Sequence, residues 1–216
     1  MLEVRADNQA IDSRFSESTW LTDFITPGNP EVRLKYERLT NGLYTQYDRI
    51  IACWQYVANI PYRETISGKI TLNGRSFKEN DIWLYPAETI KLAPAANCAN
   101  KSFLLASLLL NELPSSSVHC VLGHVNIDGI GAHAWVEIYH EGKWYILETT
   151  LPDLDRAFIP VNMATAYESA LDIIDNQVYA YSQEVSAKKI INEHFGYCPI
   201  PFLKSYLCER CLPLEV

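Results

Sequence analysis

The stretch Ala95-Ala96-Asn97-Cys98-Ala99-Asn100-Lys101-Ser102 opens an apolar run, Phe103-Leu104-Leu105-Ala106-Ser107-Leu108-Leu109-Leu110. Apolar side chains at 103, 104, 105, 106, 108, 109 and 110 cover most of a helix circumference, the pattern of a helix enclosed on several sides. Such a helix is held rigidly, and Pro114 is expected to end it. Cys98 then occupies its first turn. There, unpaired N–H groups and the positive end of the helix dipole favour a thiolate over a thiol. An isolated cysteine is more often a small buried side chain than a nucleophile. A base and an acid elsewhere in the chain decide between these two readings.

Composition narrows the class. With 216 residues, 48% hydrophobic and 20% charged, the chain suits one globular domain with elaborations and needs no disulfide staples. The net charge is −8 and no Lys/Arg cluster is present, so nucleic acid is not an expected partner. No apolar run approaches bilayer-spanning length, so a membrane is not expected either. The opening Met1–Asp7 lacks the basic and apolar regions of a signal peptide. Cytoplasmic localisation is therefore expected, with the six cysteines as thiols or ligands.

Three regions are expected, an N-terminal extension (1–44), a core (45–152) whose bounds are those of the resemblance described below, and a C-terminal extension (153–216) after Pro152. Residues 1 to about 30 are polar and irregular, broken at Thr26-Pro27-Gly28-Asn29-Pro30, and a short helix is expected over Glu31–Thr40. Tyr47, Ile50, Ile51, Trp54 and Val57 share one helical face, which Pro61 stops; Cys53 beside it reads as a packed thiol. A buried strand containing Cys120 is expected over Ser117–Ile127. A second strand, Ala132–Tyr139, and its return, Trp144–Thr149, join through a tight turn at Glu141-Gly142. Helical character is expected over Asn162–Asp175 and Val185–His194.

Hairpin parity brings candidates together. If the turn has two residues, His140 faces Lys143 and paired numbers sum to 283. Trp135 then lies opposite Glu148, and His133 opposite Thr150. All four project from one face, with Glu148 diagonal to His133 and within reach of its imidazole. A carboxylate so placed fixes the imidazole tautomer, and the imidazole can take the thiol proton. Singly, His133 and Glu148 read as ordinary polar residues. The order Cys98, His133, Glu148 on helix, strand and next strand is far less common by accident.

These motifs resemble the transglutaminase-like cysteine enzymes. The resemblance rests on Asp81-x-Trp83-x-x-Pro86-x-Glu88-Thr89, on Cys98 heading a Leu-rich helix, on His133-Ala134-Trp135-Val136-Glu137, and on Gly142-Lys143-Trp144-Tyr145-Ile146-Leu147-Glu148-Thr149-Thr150. It covers about residues 45–152 and looks closest to the bacterial transglutaminase-like cysteine proteinases. It implies an α+β, papain-like core with a central helix packed on an antiparallel sheet, here with helical N- and C-terminal extensions. It also implies acyl transfer through a thioester, with Cys98 as nucleophile, His133 as base and Glu148 as third member. The sequence departs from the family at Ala96-Asn97, where Gly-Asp is common, and at Ala99-Asn100, where acidic residues are common. Glu148 stands where Asp is usual. The oxyanion of such a reaction needs donors. The Cys98 backbone N–H is one, and Tyr62 or Trp83 is the candidate second, with core packing the plainer role for either aromatic.

Hydrolysis of a peptide or amide bond in a peptide or protein substrate is thus the expected activity. Amine transfer to a glutamine side chain is the alternative, and a binding module that keeps the fold without turnover is a third reading. No cofactor is expected. A weaker group, His194, Cys198, Cys208 and Cys211, contains the ligand types of a zinc site. Its irregular spacing and the intervening Pro199 and Pro201 favour unligated thiols.

Overall fold

The computed structural model describes residues 3–6, 10–14, 17–63, 68–72, 75–79, 83–92, 95–126, 130–151, 153–174 and 177–181. From the N-terminus run strands β1 (Glu3–Ala6), β2 (Ala10–Arg14) and β3 (Glu17–Trp20), then a 3-10 turn over Leu21–Phe24. Helices α1 (Pro30–Thr40) and α2 (Gln46–Ala58) precede a hairpin of β4 (Gly68–Leu72) and β5 (Arg75–Glu79). Next come α3 (Pro86–Leu92), α4 (Cys98–Leu109), β6 (Val118–Asn126), β7 (Ile130–His140) and β8 (Lys143–Leu147). A short α5 (Leu154–Ala157), β9 (Phe158–Pro160), β10 (Tyr167–Ile174) and β11 (Gln177–Tyr181) complete the described chain.

Each major helix starts on a side-chain cap. Asn29 accepts from the Glu31 N–H at 2.9 Å ahead of Pro30, and Thr45 accepts from the Asp48 N–H at 3.0 Å. Helix α2 buries Ile50, Cys53, Trp54 and Val57, while Tyr47 at the rim of the predicted stripe stays exposed. Asn97 caps α4, accepting from the Asn100 N–H at 2.9 Å, and all twelve α4 residues are buried. Pro114 does not end this helix. The chain turns at Leu110, where the Asn111 side chain donates to the Ser107 carbonyl at 2.9 Å and satisfies one of the helix's last acceptors. Asn97→Ala should cost about 1 kcal/mol in denaturant-induced unfolding through loss of that cap. An unchanged midpoint would show that packing alone holds the first turn.

A seven-stranded sheet in the order β1-β11-β10-β6-β7-β8-β9 backs α4, and each neighbouring pair is antiparallel. Val118, Cys120 and Leu122 of β6, with Ala134, Val136 and Ile138 of β7, belong to the same core as α4 and the ring cluster of Phe24, Trp83 and Phe103. Val121, Trp135, Ile146 and Ala164 form a smaller cluster from the alternate residues of these strands. The β7–β8 hairpin has the predicted register, His140 opposite Lys143 and Val136 opposite Leu147. Its turn residues Glu141 and Gly142 have φ of 48° and 82°, the left-handed pair that matches strand twist.

Two further expectations are corrected. The N-terminal stretch is not irregular, because β1 pairs with β11 at one edge of the sheet and β2 pairs with β3. The helix expected over Asn162–Asp175 is not formed by the described residues 162–174. A 3-10 turn over Val161–Met163 leads into β10, which pairs with the edge of β6 that β7 leaves free. In β10, Ile173 enters the main core while adjacent Asp172 pairs with His119 from the other side, so burial there alternates with a period of two. The helix expected over Val185–His194 lies outside the described residues.

Candidate active site

Three elements converge at the N-terminus of α4. Helix α4 presents Cys98, β7 presents His133 on its fourth residue, and the residue just after β8 is Glu148. His133 Nε2 donates to Glu148 Oε2 at 2.7 Å, and the imidazole also hydrogen-bonds Cys98. With Nε2 engaged by the carboxylate, Nδ1 is the ring nitrogen left to meet the thiol. Burial disfavours the imidazolium, but the Cys98 and Glu148 bonds outweigh it and push the His133 pKa up to about 10. Burial likewise disfavours the Glu148 carboxylate, yet its bonds to His133 and Thr150 hold its pKa below the usual range.

Glu148 is held at every polar atom. Its Oε1 accepts the Thr150 N–H and the Thr150 hydroxyl, both at 2.7 Å, and its Oε2 accepts the Tyr167 hydroxyl at 3.1 Å as well as His133. Its backbone carbonyl accepts the Trp54 Nε1–H of α2 at 2.7 Å, and its N–H donates to Ala157 at 2.8 Å. Trp135 stacks at 6.3 Å on His133 and meets Tyr167 edge-on at 5.2 Å.

The approach to Cys98 is pinned from upstream. The Ala96 N–H donates to the Pro61 carbonyl at 2.9 Å, the Arg63 N–H donates to the Ala96 carbonyl at 3.1 Å, and Tyr62 forms a parallel bridge with Ala96. Tyr62 is half exposed beside this stretch. Trp83 instead lies 1% exposed in the aromatic core, its ring 5.6 Å from Phe24 and 5.3 Å from Phe103. Asn100, where the family tends to carry an acid, accepts the Leu84 N–H at 2.7 Å and so ties α4 to the segment before α3.

Cys53 and Cys120 are packed thiols; burial pushes Cys53 up to about 12 and raises Cys120 further. Among the described residues no group of three or more His, Cys, Asp or Glu side chains could hold a metal ion. The zinc candidates His194, Cys198, Cys208 and Cys211 lie outside the described residues. Sequence reasoning missed Thr150, Tyr167 and Lys101. Thr150 was placed opposite His133 with no role, and Lys101 was passed over as part of the cysteine stretch. No sequence signal marks Tyr167, which comes into place only because β10 joins the sheet.

A family profile described as the transglutaminase-like superfamily matches residues 35–149. No curated protein sequence matches significantly. Among solved structures, LapG of Legionella pneumophila superposes with a TM-score of 0.51 at 11% identity, covering 86% of this chain and 94% of LapG. The EGTA-treated form of the same protein gives 0.52 at 11% identity, covering 78% and 89%. A candidate cysteine protease from Cytophaga hutchinsonii gives 0.44 at 14% identity, covering 74% and 50%. For the two LapG structures the likeness is one of fold, a helix-backed antiparallel sheet of mixed α+β type. The profile match spans more than half of the residues and contains Cys98, His133 and Glu148, and the chain belongs to the transglutaminase-like superfamily.

Proposed function

We propose that this protein is a cysteine-dependent acyl-transfer enzyme that hydrolyses a peptide or amide bond in a peptide or protein substrate. The observation that carries the reading is the His133 imidazole bonded on one side to Cys98 at a helix N-terminus and on the other to Glu148. His133 takes the Cys98 proton, and the thiolate attacks the scissile carbonyl carbon. The resulting oxyanion is met by the Cys98 backbone N–H and by the Tyr62 hydroxyl, the better placed of the two aromatic candidates because it is half exposed beside Ala96. The protonated imidazole gives its proton to the departing amine as the C–N bond breaks, which leaves a Cys98 thioester. Water, deprotonated by His133, attacks the thioester; the C–S bond breaks, the acid leaves, and the proton returns to the thiol. Glu148 holds the imidazole orientation and its positive charge throughout. This chemistry requires no cofactor, and a reducing compartment such as the cytoplasm suits its free thiol.

Iodoacetamide labelling against pH, read at the Cys98 peptide, tests the pairing. Wild-type Cys98 should label at a thiolate-like rate near pH 6. In His133→Ala that rate should fall at least about tenfold, and the profile should return toward an ordinary thiol with pKa ~8.5. Identical profiles would refute the pairing, and a folded protein with an ordinary thiol in both forms would favour the binding module. Screening Cys98-dependent release from a peptide and amide library, with and without a primary amine, then separates hydrolysis from amine transfer by the product formed.

A further inference from the structure

Lys101 lies three residues after Cys98 on α4, so the two side chains share a helix face one turn apart. It is 1% exposed and among the largest fully buried side chains of the protein. Its Nζ donates to the Ala58 carbonyl at 3.1 Å and to the Ile60 carbonyl at 2.9 Å. These acceptors lie where α2 ends, a place that favours a cation through the helix dipole. A buried ammonium still loses its hydration, a cost that a methionine of similar volume would avoid. An opposing charge offsets that loss, and the charge of Glu148 acts on Lys101 in this sense. Burial draws the Lys101 pKa down to about 8, and Glu148 acts against that fall.

The charges can be counted around the reactive state. The Cys98 thiolate and Glu148 carry two negative charges; the His133 imidazolium carries one positive charge. Lys101 makes the set neutral. Without it, a buried site would hold a net negative charge, and both the thiolate and the carboxylate would be disfavoured. The groups shown to act on Lys101 are the Ala58 and Ile60 carbonyls at the end of α2 and the charge of Glu148 just after β8, with Cys98 one turn away on its own helix.

We infer that Lys101 is a positioning residue that acts as the buried counter-cation of the site, balancing Glu148 so that thiolate and imidazolium form together. The inference rests on the Cys98–His133–Glu148 reading above and adds to it a fourth charged member. The same ammonium holds Ile60 in place, directly before the Pro61–Arg63 segment that pairs with Ala96. A neutral variant that keeps a donor is therefore needed to separate charge from tethering.

Iodoacetamide labelling of Cys98 in the full chain should rise in two steps with pH. The lower step reports formation of the thiolate beside imidazolium, and the upper step reports loss of the imidazolium proton. Removing a positive charge raises the lower step; at the upper step, near the His133 pKa of about 10, Lys101 with its pKa of about 8 has already lost its proton. In Lys101→Gln the lower step should move to higher pH by about one unit, whereas Lys101→Arg should keep that step close to wild type. A folded Lys101→Gln with the lower step unmoved would overturn the inference, as would Lys101→Arg displaced as far as Lys101→Gln. If Lys101→Gln does not fold, the double variant Lys101→Gln/Glu148→Gln should recover folding by removing the orphaned carboxylate charge; equal failure of the two overturns the inference. A wild type with no lower step refutes instead the Cys98–His133 pairing itself, and it does so with Lys101 in place.

Discussion

Glu148→Gln is expected to stay folded and to lower kcat/KM for acyl transfer by about 10³–10⁴, the scale seen when the orienting acid of a nucleophilic triad becomes an amide. The reason is the number of donors that meet this side chain. The Thr150 N–H, the Thr150 hydroxyl, the Tyr167 hydroxyl and His133 Nε2 all point at its two oxygens. An amide offers one acceptor oxygen and places an NH2 against the other donors. The imidazole then turns or changes tautomer, and Nδ1 is no longer fixed as the base. A charge signature accompanies this loss. The His133 pKa stands at about 10 because Cys98 and Glu148 together overcome burial. Without the carboxylate it falls, so the upper step of Cys98 labelling moves to lower pH, whereas Lys101→Gln acts on the lower step. Stability follows the same linkage. A raised histidine pKa stabilises the folded state below the unfolded value near ~6.5, and that stabilisation is lost as pH rises toward 10. This loss between pH 6.5 and 10 should be shallower in Glu148→Gln. Activity within tenfold of wild type, with the upper step unmoved, would remove Glu148 from the mechanism.

Gly123→Ala should destabilise the protein by about 3 kcal/mol and slow Cys98 labelling near pH 6. Gly123 lies on β6 directly opposite His133. A Cβ built there would sit 2.2 Å from the Glu168 backbone oxygen and 2.4 Å from Cη2 of Trp135. Neither neighbour can give way cheaply. The oxygen belongs to β10, which is paired with β6, and the fully buried indole donates to Glu137 Oε1 at 3.0 Å while stacking on His133. Relief therefore comes from parting β10 from β6 or from pushing Trp135, and both disturb the shelf behind the imidazole. Denaturant unfolding measures the first effect and labelling the second. An alanine variant as stable as wild type, with the same labelling rate, would show that the close approach of strand and indole has no consequence for the site.

The elements read most securely from sequence were those whose signal is local. The α2 stripe, the largely apolar α4 and the Glu141-Gly142 hairpin each follow from spacing and turn chemistry. The register of that hairpin carried the His133–Glu148 meeting with it, because side-chain parity in a two-residue hairpin leaves no freedom. Less was legible beyond residue 152. The run Tyr167–Ile174 has residues acceptable to a helix, and only the unpaired edge of β6 makes a strand the better solution. That misreading hid both the His119–Asp172 pair and the Tyr167 bond to Glu148, since each needs β10 beside β6.

By itself, the sequence determined the family motifs, the helix that carries Cys98 and the hairpin that brings an acid to a histidine. These are set by neighbours in the chain through capping, periodicity and turn geometry, which act within a few residues. The tertiary structure alone decided which aromatic stays in the core, that Trp54, Thr150 and Tyr167 clamp Glu148, and that Lys101 lies beneath the site against the end of α2. Those outcomes depend on the packing of segments far apart in sequence, where burial and the need to satisfy every enclosed polar group choose among side chains that local chemistry leaves equivalent.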